Sequence, residues 1–470
     1  MLPDESLLEI FDLYREETIL SHVQAVWGWT TLAHVCQRWR AIILASPQRL
    51  HLRVTCSPRT PVKTSLDIWP PFPLAIICVT VETVNEKGEE NIAAALEHRD
   101  RISDLHIFDN RGSSLKRWVA AMQEPLPVLA DLYLGTFHGE SPVVLPDEFL
   151  GGSAPCLRSF LLQRVAFPAF PKFVLRATHI VLLSLYEIQD SWYTSVPPEA
   201  MATCLAVLPH LETFRISFLS PPSSPLQITP PSRMHSVLPA LTTFEFKGVS
   251  EYLEGFIARI DIPRLNRLHM VFFMDLIFDT PQLHKFIDRT GSLRPFNPAL
   301  LKISRDVIGI TFGSSLTYFG LEIECEEPDL QISSVTQVCN EHFPLLSRVE
   351  QLDICETPSM ELVGKNEVNS SLWLELFRRF SAVRSLYVSE TLEPLVAAAL
   401  GELTGERTME VLPALENLSL DGAEPSESTR DTMESFIAAR QLSDRPVVVQ
   451  RRKARPQPTL NALYPSEDEL

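Results

Sequence analysis

Leu238-Pro239-Ala240-Leu241-Thr242-Thr243-Phe244-Glu245-Phe246 and, far along the chain, Leu412-Pro413-Ala414-Leu415-Glu416-Asn417-Leu418-Ser419-Leu420 are the same phrase. Each opens on a proline and then sets apolar residues in the frame apolar-x-x-apolar-x-apolar. The frame recurs at Ile102/Leu105/Ile107, Leu129/Leu132/Leu134, Leu157/Phe160/Leu162, Ile180/Leu183/Leu185 and Leu211/Phe214/Ile216. It continues at Leu265/Leu268/Met270, Leu316/Phe319/Leu321, Val349/Leu352/Ile354 and Val383/Leu386/Val388. Successive frames start 23 to 34 residues apart, except for one gap of 51 between Leu265 and Leu316.

Alternation over so short a run predicts a strand with one buried edge, and a lone strand cannot complete that core; the next repeat must. Between frames, Asn91 to His98, Ala200 to Leu208, Glu251 to Ile260 and Leu372 to Phe380 carry apolar residues at helical spacing. Strand then helix, iterated at this length, is the pattern of leucine-rich repeats. The expected class is α/β: a short N-terminal all-α module, then an irregular solenoid with parallel strands inside the arc and helices outside. The repeats are degenerate, because Phe137, Val165, Leu219, Val249 and Phe273 stand where such repeats usually close on Asn or Cys. A proline-rich segment, Ser220-Pro221-Pro222-Ser223-Ser224-Pro225 to Pro230-Pro231, interrupts the spacing. The long gap predicts one divergent repeat around Ala299 to Phe312.

The N-terminus reads differently. In Leu2-Pro3-Asp4-Glu5-Ser6-Leu7-Leu8-Glu9-Ile10-Phe11, Pro3 suits a first helical turn, and Asp4 and Glu5 complement the helix dipole there. Leu7, Leu8, Ile10, Phe11 and Tyr14 make one apolar face. A second helix, Leu32 to Leu44, repeats the pattern with Leu32, Val35, Cys36, Trp39, Ile42 and Ile43, and Pro47 stops it. A helical pair this small cannot bury so much apolar surface alone. The order LP-x-E-x-LL-x-E-IF, then L-x-x-VC-x-x-WR-x-I-x-x-x-P, resembles the F-box, the adaptor-docking module of cullin–RING ubiquitin ligases. The stretch Thr60-Pro61-Val62 to Trp69-Pro70-Pro71 is similar to the signature that follows it in fungal F-box proteins with degenerate leucine-rich repeats. Only Met1 precedes the motif, where many such proteins carry a further helical segment.

The resemblance implies docking on a Skp-type adaptor, and through it on cullin and RING subunits, by Leu2, Pro3, Leu7, Leu8, Ile10, Phe11, Leu32, Val35, Trp39 and Ile42. Either Leu7 and Phe11 or Leu8 and Ile10 must pack on the second helix, and the spacing leaves that open. The domain boundaries read as an F-box at 1–50, a connector at 51–73, a solenoid at 74–445 and a flexible tail at 446–470. Within the last, Arg445 to Val449 is a candidate final strand.

Composition narrows the function. Apolar residues are 45% and charged residues 21% of 470, enough for a large core, and the net charge of −18 argues against a nucleic-acid surface. The eight cysteines include no C-x-x-C pair, which predicts buried thiols in a reducing compartment rather than a zinc knuckle. No apolar stretch is long enough to span a bilayer, and Pro3, Asp4 and Glu5 replace the basic start of a signal peptide. A cytoplasmic or nuclear protein without membrane contact is the expectation. No phosphate-binding glycine loop, nucleophile elbow or H-E-x-x-H spacing occurs, so neither cofactor, metal nor catalysis is expected.

Recognition of a protein substrate is expected on strand residues that alternate with the buried frame: Tyr133, Arg215, Glu245, Arg267, His269, Asp353 and Tyr387, with neighbours such as Gln351, Ser385, Asn417 and Ser419. The resulting reading is a substrate-recognition subunit of a Skp–cullin–F-box ligase. The alternative is a non-catalytic repeat scaffold with no ligase role.

Overall fold

The computed structural model describes residues 2–19, 32, 34–46, 52–56, 62–68, 71–80, 86–137, 142–226, 235–275, 278–293, 298–313, 317–340, 343, 346–356, 369–403, 405–422 and 427–452. Pro47, Leu316, the Thr60-Pro61 and Trp69-Pro70 pairs, much of the proline-rich segment and residues 453–470 lie outside them. The chain forms two compact units that meet in sequence between Ile180 and Val181.

In the first unit five strands lie side by side in chain order: Leu52–Thr55, Leu74–Thr80, Ile102–Asp109, Asp131–Gly135 and Ser159–Gln163. All four pairings are parallel. Helices Val62–Ile68, Glu86–Leu96 and Ser113–Ala121 fill the first three connections. The frame residues fall on one side of the strands and are buried: Ile102, Leu105, Ile107, Leu129, Leu134, Leu157, Phe160 and Leu162 all have no exposed surface. Asp109 closes its strand by accepting the N–H groups of Ser114 and Leu115 at 2.8 and 3.0 Å, so one carboxylate ends a strand and caps the next helix.

In the second unit, eleven described strands of the large sheet run in the order Leu182–Ile188, Thr213–Phe218, Thr243–Gly248, Arg267–Phe273, Tyr318–Glu324, Val307–Gly313, Ala299–Ile303, Gln351–Glu356, Ser385–Val388, Asn417–Asp421 and Val448–Arg452. The repeat is visible in the backbone. Thr242 N–H donates to the Glu212 carbonyl, Asn266 to Thr242, Arg384 to Glu350 and Glu416 to Arg384, at 2.8–2.9 Å. Each bond joins the residue after the first frame position to its counterpart one repeat earlier. All four segments read as helical at sequence level are helices, at Glu86–Leu96, Pro198–Ala206, Ser250–Ile257 and Ser370–Arg378. The repeat region is therefore a mixed α/β, largely parallel structure of leucine-rich-repeat kind.

Three expectations need correction. Residues Ala299 to Phe312 are not a divergent strand–helix repeat. They form an antiparallel hairpin, Ala299–Ile303 against Val307–Gly313, which pairs antiparallel with Tyr318–Glu324 on one side and parallel with Gln351–Glu356 on the other. The hairpin satisfies the same burial rule, with Ala299, Leu301, Ile308 and Ile310 fully buried, which is why its pattern looked like a frame. Its turn is pinned by buried Gln331, whose amide donates to the carbonyls of Ser304 at 3.0 Å and Cys325 at 2.6 Å. The sheet also begins inside the expected connector, at Leu52–Thr55, and the candidate final strand at Arg445 to Val449 is shifted along the chain to Val448–Arg452, paired to Asn417–Asp421 beyond the expected solenoid boundary. That last strand is anchored because Arg451 reaches both carboxylate oxygens of buried Glu393, at 2.6 and 3.3 Å.

Candidate functional site

The N-terminal helices Asp4–Ile19 and Gln37–Leu44 divide the motif residues into two sets. Leu7, Phe11, Ile42 and Ile43 are buried together, with Leu8, Leu32, Trp39 and Phe72 packed against them. The Phe11 and Trp39 rings meet edge-on at 4.9 Å. Arg38 ties the second helix to the start of the first, donating to Asp4 Oδ1 and to the Leu2 carbonyl, both at 2.6 Å. Cys36 Sγ accepts the Trp39 N–H at 3.4 Å, standing where a helix usually has Ser or Asp. What remains outside is apolar: Leu2, Ile10 and Val35 are 54%, 44% and 55% exposed, and Pro3 is exposed beside them.

On the repeat strands, the face opposite the buried frame carries one continuous row. Register aligns Ser184, Arg215, Glu245, His269, Gly320, Thr311, Leu300, Asp353, Tyr387, Ser419 and Gln450 across the second unit. The sequence-derived candidates Arg215, Glu245, His269, Asp353 and Tyr387 therefore stand in a single line. Arg267 lies one row away, with its guanidinium over the Tyr318 ring at 5.4 Å. Tyr133 belongs to the first unit, where its hydroxyl donates to Gln163 Oε1 at 2.7 Å.

The row has two chemically different parts. In the centre, Arg215 Nε lies 3.0 Å from Glu245 Oε2, His269 Nε2 lies 3.3 Å from Glu322 Oε1, and Lys247 Nζ lies 2.5 Å from Glu324 Oε1. Glu245 and His269 are only 5% and 4% exposed although no frame contact covers them, since the neighbouring side chains lie across the sheet. Two glycines make that possible. A Cβ on Gly320 would sit 2.6 Å from the His269 ring, and one on Gly309 would sit 2.7 Å from Glu322 Cγ. Burial by itself raises the Glu322 carboxyl, but the hydrogen bond and charge of His269, with Lys302 and Lys247, reverse this and hold it below its ordinary value. Burial and then the Glu322 charge raise the Tyr318 phenol, while burial raises Tyr186 against the opposing charge of Arg215. Arg215 is thus the outer half of an ion pair with buried Glu245 and not a free rim charge.

Toward the C-terminal strands the row opens into a shallow cavity of about 370 Å³ lined by Gln351, Asp353, Ser385, Leu386, Tyr387, Asn417, Ser419 and Gln450. The Tyr387 hydroxyl donates to Asp421 Oδ2 at 2.8 Å, and the Gln351 amide donates to Asp353 Oδ1 at 3.0 Å. Burial, the hydrogen bond to Asp421 and the charges of Asp421, Cys355 and Asp353 all raise the Tyr387 phenol. Burial, Asp353 and Asp421 likewise push the Cys355 thiol to about 11, against the opposing pull of Lys302.

The sequence does not single out Tyr186, Tyr318, Lys247, Asp421 or Gln450, and it offers Glu322 with Glu324 only as a carboxylate pair on a strand, expected to be solvated rim charges. Tyr318 and Glu322 flank frame positions and were findable by the same alternation. Tyr186 and Asp421 lie one alternation past the frame, and Gln450 lies in a strand expected to be tail. Among the described residues no group of three or more His, Cys, Asp or Glu side chains could hold a metal ion, and no helix is long and apolar enough to cross a membrane.

No family model and no curated protein matches this chain. Among solved structures it is similar to the leucine-rich repeat-containing protein LegL7 from Legionella pneumophila, at 11% identity over 84% of this chain and 99% of that one, with a TM-score of 0.28. The repeat reading rests on this chain's own strand order and backbone ladder.

Proposed function

We propose that this chain is the substrate-recognition subunit of a Skp–cullin–F-box type ubiquitin ligase. The N-terminal helices dock the adaptor, and the polar strand face holds a protein substrate. The observation that carries the reading is the split at the N-terminus. Leu7, Phe11, Trp39 and Ile42 hold the two helices together, and Leu2, Pro3, Ile10 and Val35 are left exposed. Exposed apolar side chains on a small helical pair favour a docking surface. The motif order described above makes a Skp-type adaptor, and through it cullin and RING subunits, the partner of choice.

In this role the chain supplies position and no chemistry. Holding a substrate near the ligase raises the effective concentration of its lysines at the transferring enzyme. Such a complex works in the cytoplasm or nucleus.

Co-purification of the full chain with a Skp-type adaptor tests the proposal. The paired substitution Ile10→Asp and Val35→Asp alters only exposed positions and is expected to remove adaptor binding while thermal unfolding stays unchanged. Trp39→Ala would lose binding too, but through collapse of the Phe11–Trp39 contact, so it is the weaker test. A wild-type chain that never retains the adaptor would leave a repeat scaffold without ligase role as the better account.

A further inference from the structure

We infer that the cavity between Gln351 and Gln450 receives a basic side chain, Lys or Arg, presented on an extended stretch of the partner protein. This deepens the reading of the strand face as a recognition surface and rests on it.

Charge complementarity carries the inference. Along the centre of the row every carboxylate named above faces a base: Glu245 has Arg215, Glu322 has His269 and Glu324 has Lys247. In the cavity that matching stops. Its lining holds a carboxylate, two serines, a tyrosine, three amide side chains and one leucine, and no Lys, Arg or His. Asp353 accepts from the Gln351 amide, and Asp421, one row further along, accepts from the Tyr387 hydroxyl. Among the residues whose side chains are described, Asp353 has no ion-pair partner. Lys302 is the nearby base, level with Cys355, and its charge acts on Glu322 as well as on Cys355. The anchoring group is Asp353, three strands in from the edge strand that ends at Arg452.

The remaining groups fit the same ligand. A Lys or Arg head brings several N–H donors and no acceptor. Opposite it stand Asp353, the oxygens of Ser385 and Ser419 and the amide oxygens of Asn417 and Gln450, all capable of accepting. Tyr387 lies level with Asp353, bonds Asp421 and lines the cavity, and its ring is a surface on which a guanidinium can also stack. An acidic ligand would meet Asp353 head-on, and an apolar one would strand the polar walls without partners.

The test uses the full chain and decapeptides of neutral flanking sequence with Arg, citrulline or Glu at one central position, read by fluorescence anisotropy at low salt. Citrulline keeps the shape and the hydrogen-bonding head of arginine but removes the charge. The Arg peptide is expected to bind about five-fold tighter than the citrulline peptide, as for a half-exposed ion pair, and the preference should shrink with added salt. Asp353→Asn should erase the preference while Asp353→Glu keeps most of it. Equal binding of Arg and citrulline peptides, an unaltered preference in Asp353→Asn, or no binding by any peptide at millimolar concentration would each overturn the inference. Retention of a Skp-type adaptor is measured on the same preparation, so failure of the cavity and failure of the ligase reading are separate results.

Discussion

The centre of the strand face and its C-terminal cavity are built by the same repeat, on the same row, yet they use charge in opposite ways. From Arg215 to Glu322 opposite charges sit on adjacent strands, and glycines at 309 and 320 let the side chains lie flat over one another. The result is a covered polar layer whose ions are already neutralised. From Asp353 to Gln450 the row runs through hydroxyls and amides, the cavity lining holds no base for Asp353, and the surface stays open. Matched charges hold a face together at the cost of desolvation, whereas unmatched ones are left for a partner.

The largest expected effect comes from breaking the centre. Glu245→Ala leaves Arg215 without its carboxylate and should cost about 2–3 kcal/mol in urea unfolding, discounted because Arg215 is partly exposed. Asp353→Ala in the cavity should cost no more than about 0.5 kcal/mol. Equal costs would mean that the two parts do not differ in kind.

Next is the edge. Deleting 450–470 removes the Gln450 wall of the cavity and takes Arg451 from Glu393, a carboxylate whose side chain is 5% exposed. A loss of about 2 kcal/mol and of any Arg-peptide preference is expected, with the acid behaviour of the centre unchanged. A truncated chain as stable as the full one would place the last strand outside the folded unit.

The smallest effects lie in pH. Glu322 is held below its ordinary value, so it contributes stability that is present above the unfolded carboxylate range and disappears as pH falls through its folded pKa. Glu322→Gln should flatten the acid limb of the stability curve. Glu254 behaves oppositely. It accepts the N–H groups of Gln282 and Leu283 at the start of the helix Pro281–Arg289, yet burial raises it from 4.5 to about 7. Its folded form binds more protons than its unfolded form, so stability should fall as pH rises across that interval, and Glu254→Gln should remove this fall. Unfolding free energies between pH 3 and 8 for the two variants decide it; slopes of the same sign would contradict the assignment of either group.

Much of the site was legible because a strand alternates. Knowing that Phe244 and Phe246 are buried puts Glu245 on the other face, and the same step yields Arg215, His269, Asp353 and Tyr387. Alternation says nothing about which of these residues touch. That requires the register between repeats of unequal length, and it required the hairpin at 299–313 to be recognised as two strands rather than one repeat. The N-terminal helices show the same limit: an apolar face was evident, but whether Leu7 and Phe11 or Leu8 and Ile10 turned inward was not.

By itself, then, the sequence determined the period of the repeat, the buried side of every frame and the presence of two amphipathic helices at the start, because each depends on apolar spacing within a few residues. The tertiary structure decided the neighbours. It brought Glu322 to His269, set Tyr387 against Asp421, seated the last strand on Asn417–Asp421 through Arg451 and Glu393, and, among the described residues, left Asp353 without an ion-pair partner. Those outcomes depend on pairing between segments distant in the chain, where a shift of one residue would turn every polar side chain of a strand to the opposite face.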